Sequence, residues 1–242
     1  MSDHPHLVIA LDGPAASGKS STAQWVAEEL RFFHVDSGAL YRVLTAARLE
    51  HGGAPADWSD ASLLEQAGRV GVRPHEHAFR PLLDGEDADE RIRGDGVTRA
   101  VSAVAQRPAV RAWVNARVRS LAEGYDVVVD GRDIGTAVFP DAQLKIFLVA
   151  DPWERARRRL TQRLGRRPID AEIAEETERL VHRDAQDATQ TVQARDAVLI
   201  DTTYLTQREQ VDRIVALARA VGRSVTGAPA MTSPVDDESS SG

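Results

Sequence analysis

Cysteine is absent from this 242-residue chain. No disulfide framework or thiolate metal site can therefore hold it together, and a reducing compartment, the cytoplasm, is the expected location. Long apolar runs are missing as well: nothing approaches the roughly 20 residues of a membrane-spanning helix. The opening residues Met1–His6 are polar and an apolar run follows at once, so no secretory leader is expected. Positive charge is not in excess. A formal net charge of −7 argues against a polynucleotide partner, although a local arginine cluster can still bind a small anion. Lysine is scarce, with Lys19 and Lys145 the only two among 30 basic residues. No internal repeat is visible, and no Asn-Lys-x-Asp sequence supports a guanine-specific switch. Apolar content of 42% and charged content of 28% are ordinary, and the length suits one large domain with a sizeable core.

The chain is organised around residues 7–30. Leu7-Val8-Ile9-Ala10-Leu11 is the short all-apolar run of a strand buried on both faces. Asp12-Gly13-Pro14-Ala15-Ala16-Ser17-Gly18-Lys19-Ser20-Ser21 follows, and then Ala23, Val26, Ala27 and Leu30 recur at helical spacing. A Gly-x-x-x-x-Gly-Lys-Ser pattern between a strand and a helix is the setting of a phosphate-binding loop. Its backbone N–H groups and the helix N-terminus favour anions. Residues 13–21 are thus the expected ATP site, with Lys19 on the outer phosphates and the Ser20 hydroxyl on Mg²⁺. A chance match in a glycine-rich turn is the alternative, and the strand–loop–helix context weighs against it.

A second apolar strand is read at Phe32–Asp36, leading into a helix with Leu40, Val43, Leu44 and Ala47 on one face and Arg42 pointing away from it. Residues 52–102 read as an insertion. The pattern gives a short helix over Ser59–Val70, strands at Val70–Val72, Phe79–Leu83 and Glu86–Arg91, and a hairpin turn at Asp84-Gly85. Helices follow at Val97–Ala105 and from Pro108. The four tryptophans, Trp25, Trp58, Trp113 and Trp153, read as core filler. Tyr125–Asp130, Leu144–Ala150 and Ala197–Asp201 are three more strands, the first running into Gly131-Arg132-Asp133-Ile134-Gly135-Thr136. Asp151-Pro152 caps a helix dense in arginine (Arg155, Arg157, Arg158, Arg159), Gly165–Pro168 interrupts it, and a charged helix starts near Asp170. A Thr206-x-x-Glu209 box opens the last helix. The Ser/Pro/acid-rich stretch 222–242 is expected to be a disordered tail. The fold class is therefore α/β: a P-loop three-layer architecture on a five-stranded parallel sheet, with an inserted small α+β domain and an arginine-rich lid. The kinase domain spans 1–221, the inserted subdomain 39–102 counting the helix that enters it, and the lid 152–184. A mobile arginine-rich helix suits phosphoryl transfer, which needs charge neutralisation and exclusion of water.

Five blocks follow one another in a familiar order. They are Gly13-Pro14-x-x-x-Gly18-Lys19-Ser20, Asp36-Ser37-Gly38-Ala39-Leu40-Tyr41-Arg42, Asp130-Gly131-Arg132-Asp133-Ile134-Gly135-Thr136, Lys145-Ile146-Phe147-Leu148 and Arg155-Ala156-x-Arg158-Arg159. Over roughly residues 7–220 the chain resembles the bacterial cytidylate kinases, of the P-loop nucleoside monophosphate kinase family. The resemblance implies transfer of the ATP γ-phosphoryl group to CMP or dCMP with Mg²⁺. It implies Lys19, Arg132, Arg158 and Arg159 as the catalytic charges. Ser37, Arg42, Arg132, Arg183 and Asp187 would hold the acceptor, with Arg42 and Arg132 on its phosphate and Asp187 on its ribose. Ser102, Arg111 and Asp133 would read the cytosine. The chemistry is coherent: a carboxylate accepts from the exocyclic amine, while arginine and serine donate to the ring nitrogen and O2. Uracil would set a carbonyl against Asp133. One departure stands out. Gln186 and Gln190 occupy positions where the family typically has arginine, so a charge on the acceptor phosphate is missing or supplied by Arg179, Arg183 or Arg195. A monomer acting on free nucleotides is expected, with no nucleic-acid or membrane partner. The alternatives are a P-loop kinase for another nucleotide or small metabolite, and a low-turnover nucleotide sensor.

Overall fold

The computed structural model describes residues 6–226. In chain order, β1 (Val8–Asp12) leads through the glycine-rich loop to α1 (Lys19–Leu30), and β2 (Phe33–Asp36) runs directly into α2 (Ser37–Glu50). The following region holds α3 (Asp60–Leu64), β3 (Val70–His75), β4 (Ala78–Leu83), β5 (Glu86–Asp87), α4 (Asp95–Ala105) and α5 (Pro108–Ala122). Then come β6 (Val127–Asp130), β7 (Leu144–Val149), α6 (Pro152–Leu164), α7 (Asp170–Asp187), β8 (Val198–Asp201) and α8 (Gln207–Thr226).

The five strands expected to be parallel pair in the order β2-β6-β1-β7-β8, every pair parallel. Successive side chains on a strand face opposite ways, and the core divides accordingly. Ala10, Val127 and Val129 face α2, α4 and α5, whereas Ile9, Leu11 and Val128 meet Val26 of α1 and Ile214 of α8. Burial on both faces explains why these strands are continuous runs of Val, Ile and Leu. A third, smaller cluster joins Ala156 and Leu160 of α6 to Ile173 and Leu180 of α7, and reaches Ala15 in the glycine-rich loop.

The β3–β4 hairpin is antiparallel but does not form a separate sheet. Ala78 pairs in parallel with His34, so the hairpin extends the main sheet beyond β2. Phe33, Phe79 and Tyr125 seal the junction, with ring centroids 4.9–5.7 Å apart. Asp84 and Gly85 both take positive φ, as a tight hairpin turn requires.

Several expectations need correction. The helix read over Ser59–Val70 is only α3 followed by a single 3₁₀ turn at Ala67–Arg69, because Gly68 gives helix little support. The strand read at Glu86–Arg91 stops at Asp87, whose side chain accepts the Asp89 N–H at 2.9 Å in place of a ladder partner. Trp58 is core, but Trp25 and Trp153 are 44% and 39% exposed, so they are not core filler. α8 continues through Gly222 to Thr226, and the remainder of the expected tail, 227–242, lies outside the described residues.

Candidate active site

Four strands end in aspartate at one edge of the sheet. Asp12, Asp36, Asp130 and Asp201 close β1, β2, β6 and β8, and register sets Leu11 and Asp36 opposite Asp130. In open α/β sheets this carboxyl edge is where ligands bind. The loop from Gly13 to Gly18 leaves β1 here. Gly13 has φ +149°, and a Cβ on it would stand 2.2 Å from the Leu148 carbonyl oxygen, so only glycine fits. Pro14, Ala15, Ala16 and Ser17 carry the chain over to Gly18, the N-cap of α1. The first-turn N–H groups of Lys19, Ser20 and Ser21 have no partner within the helix and open toward the cleft.

Lys19 curls back over this loop, donating from Nζ to the Pro14 carbonyl at 2.6 Å and to Ser17 Oγ at 3.4 Å. Burial, with Arg132 nearby, pulls its pKa down to about 7. Ser20 Oγ donates to Asp130 Oδ2 at 2.6 Å, and His34 Nε2 lies 2.6 Å from Asp130 Oδ1. Burial pushes Asp130 upward, but the His34 and Ser20 hydrogen bonds outweigh it and hold the carboxyl below its ordinary value. The main-chain oxygen of the same aspartate accepts from Ser37 Oγ at 2.7 Å. Asp130 thus ties Ser20 of α1 to Ser37 of α2. Ser21 caps its own turn onto the Gly18 carbonyl at 3.0 Å.

The expected acceptor residues gather in two groups. In the first, Arg111 of α5 pairs with Asp133, and its Nη1 donates to the Ala105 carbonyl at 3.1 Å. Ser102 lies three residues before Ala105 on α4 and is half-buried. Tyr41 is buried beside this pair, its pKa raised to about 12 chiefly by burial. In the second, Arg42, Arg132, Arg159 and Arg183 stand close enough to perturb one another. Burial first, then Arg132, Arg42 and Arg159, lower Arg183 to about 10. Burial lowers Arg42 too, with Arg93, Arg159 and Arg132 adding repulsion. Arg132 donates to the Gly13 carbonyl at 2.8 Å and to Asp187 Oδ2 at 3.1 Å, and Arg42 to the Ile92 carbonyl at 3.2 Å and Thr98 at 3.3 Å. Asp187, 3.7 Å from Arg183 Nε, is the carboxylate within this cluster. Converging, partly desolvated guanidinium groups are a ready receptor for phosphate.

The two lid arginines part company. Arg159 pairs with the buried Glu176 at 3.0 Å and belongs to the cluster. Arg158 donates to the carbonyls of Thr202 and Thr203 at 2.5 and 2.8 Å, and its charged neighbours are Glu154, Arg157 and Asp201. In this structure it braces the loop after β8. Gln186 contacts His182 at 3.0 Å, and Gln190 closes a backbone turn onto Asp187 at 3.0 Å. Of the arginines expected to compensate for them, Arg183 is in the cluster, while Arg179 pairs with Glu175 and Glu176.

Sequence reading did not foresee the contacts of several residues that shape the site. Asp184 of α7 accepts the Ala15 N–H at 2.9 Å and Arg155 Nη1 at 2.6 Å, and the same Nη1 donates to the Ala15 carbonyl at 2.7 Å. Helices α6 and α7 thereby hold both main-chain polar groups of Ala15 in the glycine-rich loop. Asp12, Asp130, His34 and Glu176 were likewise unassigned. The available signal was the row of aspartates ending the strands.

For a divalent cation, the fit rests on Ser20, which is exposed and has its proton committed to Asp130, leaving its oxygen free for a hard cation. Among the described residues no group of three His, Cys, Asp or Glu side chains could hold a metal.

Comparison with known proteins agrees with this geometry. The family model described as cytidylate kinase matches residues 9–220. The cytidylate kinase of Geobacillus kaustophilus is 45% identical over 214 residues, 87% of this chain and 96% of that protein. Those of Geobacillus thermodenitrificans and Mycobacterium avium are 42% and 41% identical, covering 87% and 88% of this chain and 96% and 95% of theirs.

Proposed function

The chain belongs to the cytidylate kinase family, and from that premise we propose how its own residues carry out the family's reaction. The activity is ATP-dependent phosphorylation of CMP or dCMP, giving the nucleoside diphosphate and ADP. The family works on nucleotides, typically with a divalent metal; here we assign Mg²⁺, held by Ser20 together with the ATP phosphates. Bound there, it would neutralise charge on those phosphates.

In our reading, ATP lies over residues 13–21 with Lys19 on its outer phosphates. Ser37, Arg42, Arg132, Arg183 and Asp187 hold CMP, with the three arginines on its phosphate. An oxygen of that phosphate, already anionic, attacks the γ-phosphorus in line. The bond from γ-phosphorus to the bridging oxygen breaks, and its electron pair leaves with ADP. No general base is required. Lys19, Arg132 and Arg159 spread the developing charge, and positioning supplies most of the rest. Residues 39–102 serve as the acceptor-binding part and 152–184 as the lid that excludes water. The enzyme works as a monomer on free nucleotides in the cytoplasm; no described helix is long and apolar enough to cross a membrane.

The observation that carries the substrate assignment is the Arg111–Asp133 pair, with Asp133 next in sequence to Arg132 of the arginine cluster. It offers an acceptor and a donor side by side, which suits the amine and carbonyl edge of cytosine. Asp133→Ala tests it. The kcat/KM preference for CMP over UMP should drop roughly ten- to hundredfold, about the worth of one good hydrogen-bonded base contact. An unchanged preference would remove Asp133 from base reading.

A further inference from the structure

We infer that Asp12 is a positioning residue, one that seats the acceptor-reading segment 131–135 on the start of the phosphate-binding loop. Asp12 closes β1 and is 4% exposed. Its two carboxylate oxygens accept consecutive amides of one loop: Ile134 N–H to Oδ1 and Gly135 N–H to Oδ2, each at 2.8 Å. Two more hydrogen bonds join the same short stretches. Gly131 N–H donates to the Leu11 carbonyl at 3.1 Å, and Arg132 Nη1 to the Gly13 carbonyl at 2.8 Å. Residues 11–13 therefore grip 131–135 at both ends, with Asp133 between the grips.

The grip is close-fitting. A Cβ on Gly135 would stand 3.2 Å from Lys145 Cδ and 3.4 Å from Asp12 Oδ2. Lys145, in turn, is pinned by Asp196 at 2.8 and 3.0 Å and by the Pro140 carbonyl. The segment is held between a carboxylate on one strand and a braced lysine on the next. A buried carboxylate is costly, and burial raises this one to about 6, with Asp133 adding repulsion. Both its oxygens nonetheless go to the loop that orients Arg132 and Asp133. A charge kept in so expensive a place, and directed wholly at one loop, marks that loop's placement as what it serves. The start of the ATP loop and the acceptor-reading segment become one rigid unit.

This inference rests on the reading that segment 131–135 selects the acceptor. The test compares the parent enzyme with Asp12→Asn, Asp12→Ala and Asp133→Ala, measuring kcat/KM for CMP and for UMP at one saturating ATP concentration, with a thermal melt of each variant. Because Lys19 is near Asp12, both variants can alter ATP handling, but a uniform effect cancels in the CMP-to-UMP ratio. Asparagine keeps one acceptor and alanine none, so the loss should be graded: roughly three- to tenfold in the ratio for Asp12→Asn and about tenfold or more for Asp12→Ala, chiefly through KM for CMP. If alanine fails to fold, the near-isosteric asparagine still decides. A ratio that falls in Asp133→Ala but holds in the folded Asp12 variants overturns the inference while the base reading stands. A ratio that holds in Asp133→Ala but falls in the folded Asp12 variants moves base reading from the Asp133 side chain to another group of segment 131–135 and keeps the positioning role. A ratio that holds in all three overturns both.

Discussion

In the mechanism we propose, the phosphate chemistry turns on Lys19, and its environment makes a prediction beyond loss of activity. Burial and Arg132 hold its pKa near 7 before a nucleotide arrives. A triphosphate favours the charged amine and should return it toward its ordinary value. ATP binding at pH 7.5 should therefore take up a fraction of a proton, and the uptake should fade at pH 6, where Lys19 is already charged. Calorimetry in buffers of different ionisation enthalpy measures this. Lys19→Arg, always charged, should abolish the uptake, whereas uptake that persists in it would place the proton elsewhere. Lys19→Ala should lower kcat by roughly a hundredfold or more with the fold intact. The placement of Lys19 and Ser20 at the opening of α1 was legible in the strand–loop–helix spacing, whereas Ser37, Arg42, Arg132 and Asp133 were picked out by the resemblance of whole blocks. The contacts of Asp12, His34, Asp184 and Glu176 were not legible. Asp12 meets Gly135 from 123 positions away and Asp184 meets Ala15 from 169. Only the fold brings such pairs together.

At the scale of elements, the lid depends on one acid. Glu176 of α7 is buried and receives Arg159 at 3.0 Å, with Arg163 and Arg179 at 3.7 and 3.6 Å. It joins α6 to α7 and holds Arg159 in place. Glu176→Ala strands three guanidinium groups, but these are half-exposed and remain solvated. The expected cost is therefore about 1–3 kcal/mol rather than the larger penalty of a fully buried pair. A melt should show this as a fall of several degrees, and kcat should fall alongside it as Arg159 loses its brace. Unchanged kcat would separate Arg159 from the reaction. The elements themselves were read well where burial on both faces forces runs of Val, Ile and Leu, as in β1, β6 and β7. They were read poorly where a side chain competes with the backbone, as Asp87 does at the end of β5. Caps were faithful signals. Asp151 accepts the Trp153 and Glu154 N–H groups at 2.9 and 3.2 Å, and Thr206 and Glu209 cap one another.

Across the whole molecule, periodicity gave the parallel core but not the way the hairpin joins it. The Ala78–His34 pairing and the Phe33–Phe79–Tyr125 cluster depend on contacts between strands far apart in the chain. Their effect is to hang the region carrying Ser102 and Arg111 from the same sheet that carries the ATP loop. The exposed Trp25 and Trp153 show the complementary limit: an apolar residue on a helix can lie at the edge of its buried stripe. Gln186 and Gln190 raised the question of whether the phosphate receptor is complete. Arg42, Arg132, Arg159 and Arg183 gather without them.

One measurement bears on the account most directly: ADP release in a coupled assay with ATP and Mg²⁺, offered CMP, dCMP, UMP, AMP or no acceptor. Rapid turnover with CMP and dCMP, slower turnover with UMP and almost none without an acceptor is the predicted result. Release only with a different acceptor, or tight CMP binding with no ADP formed, would contradict it.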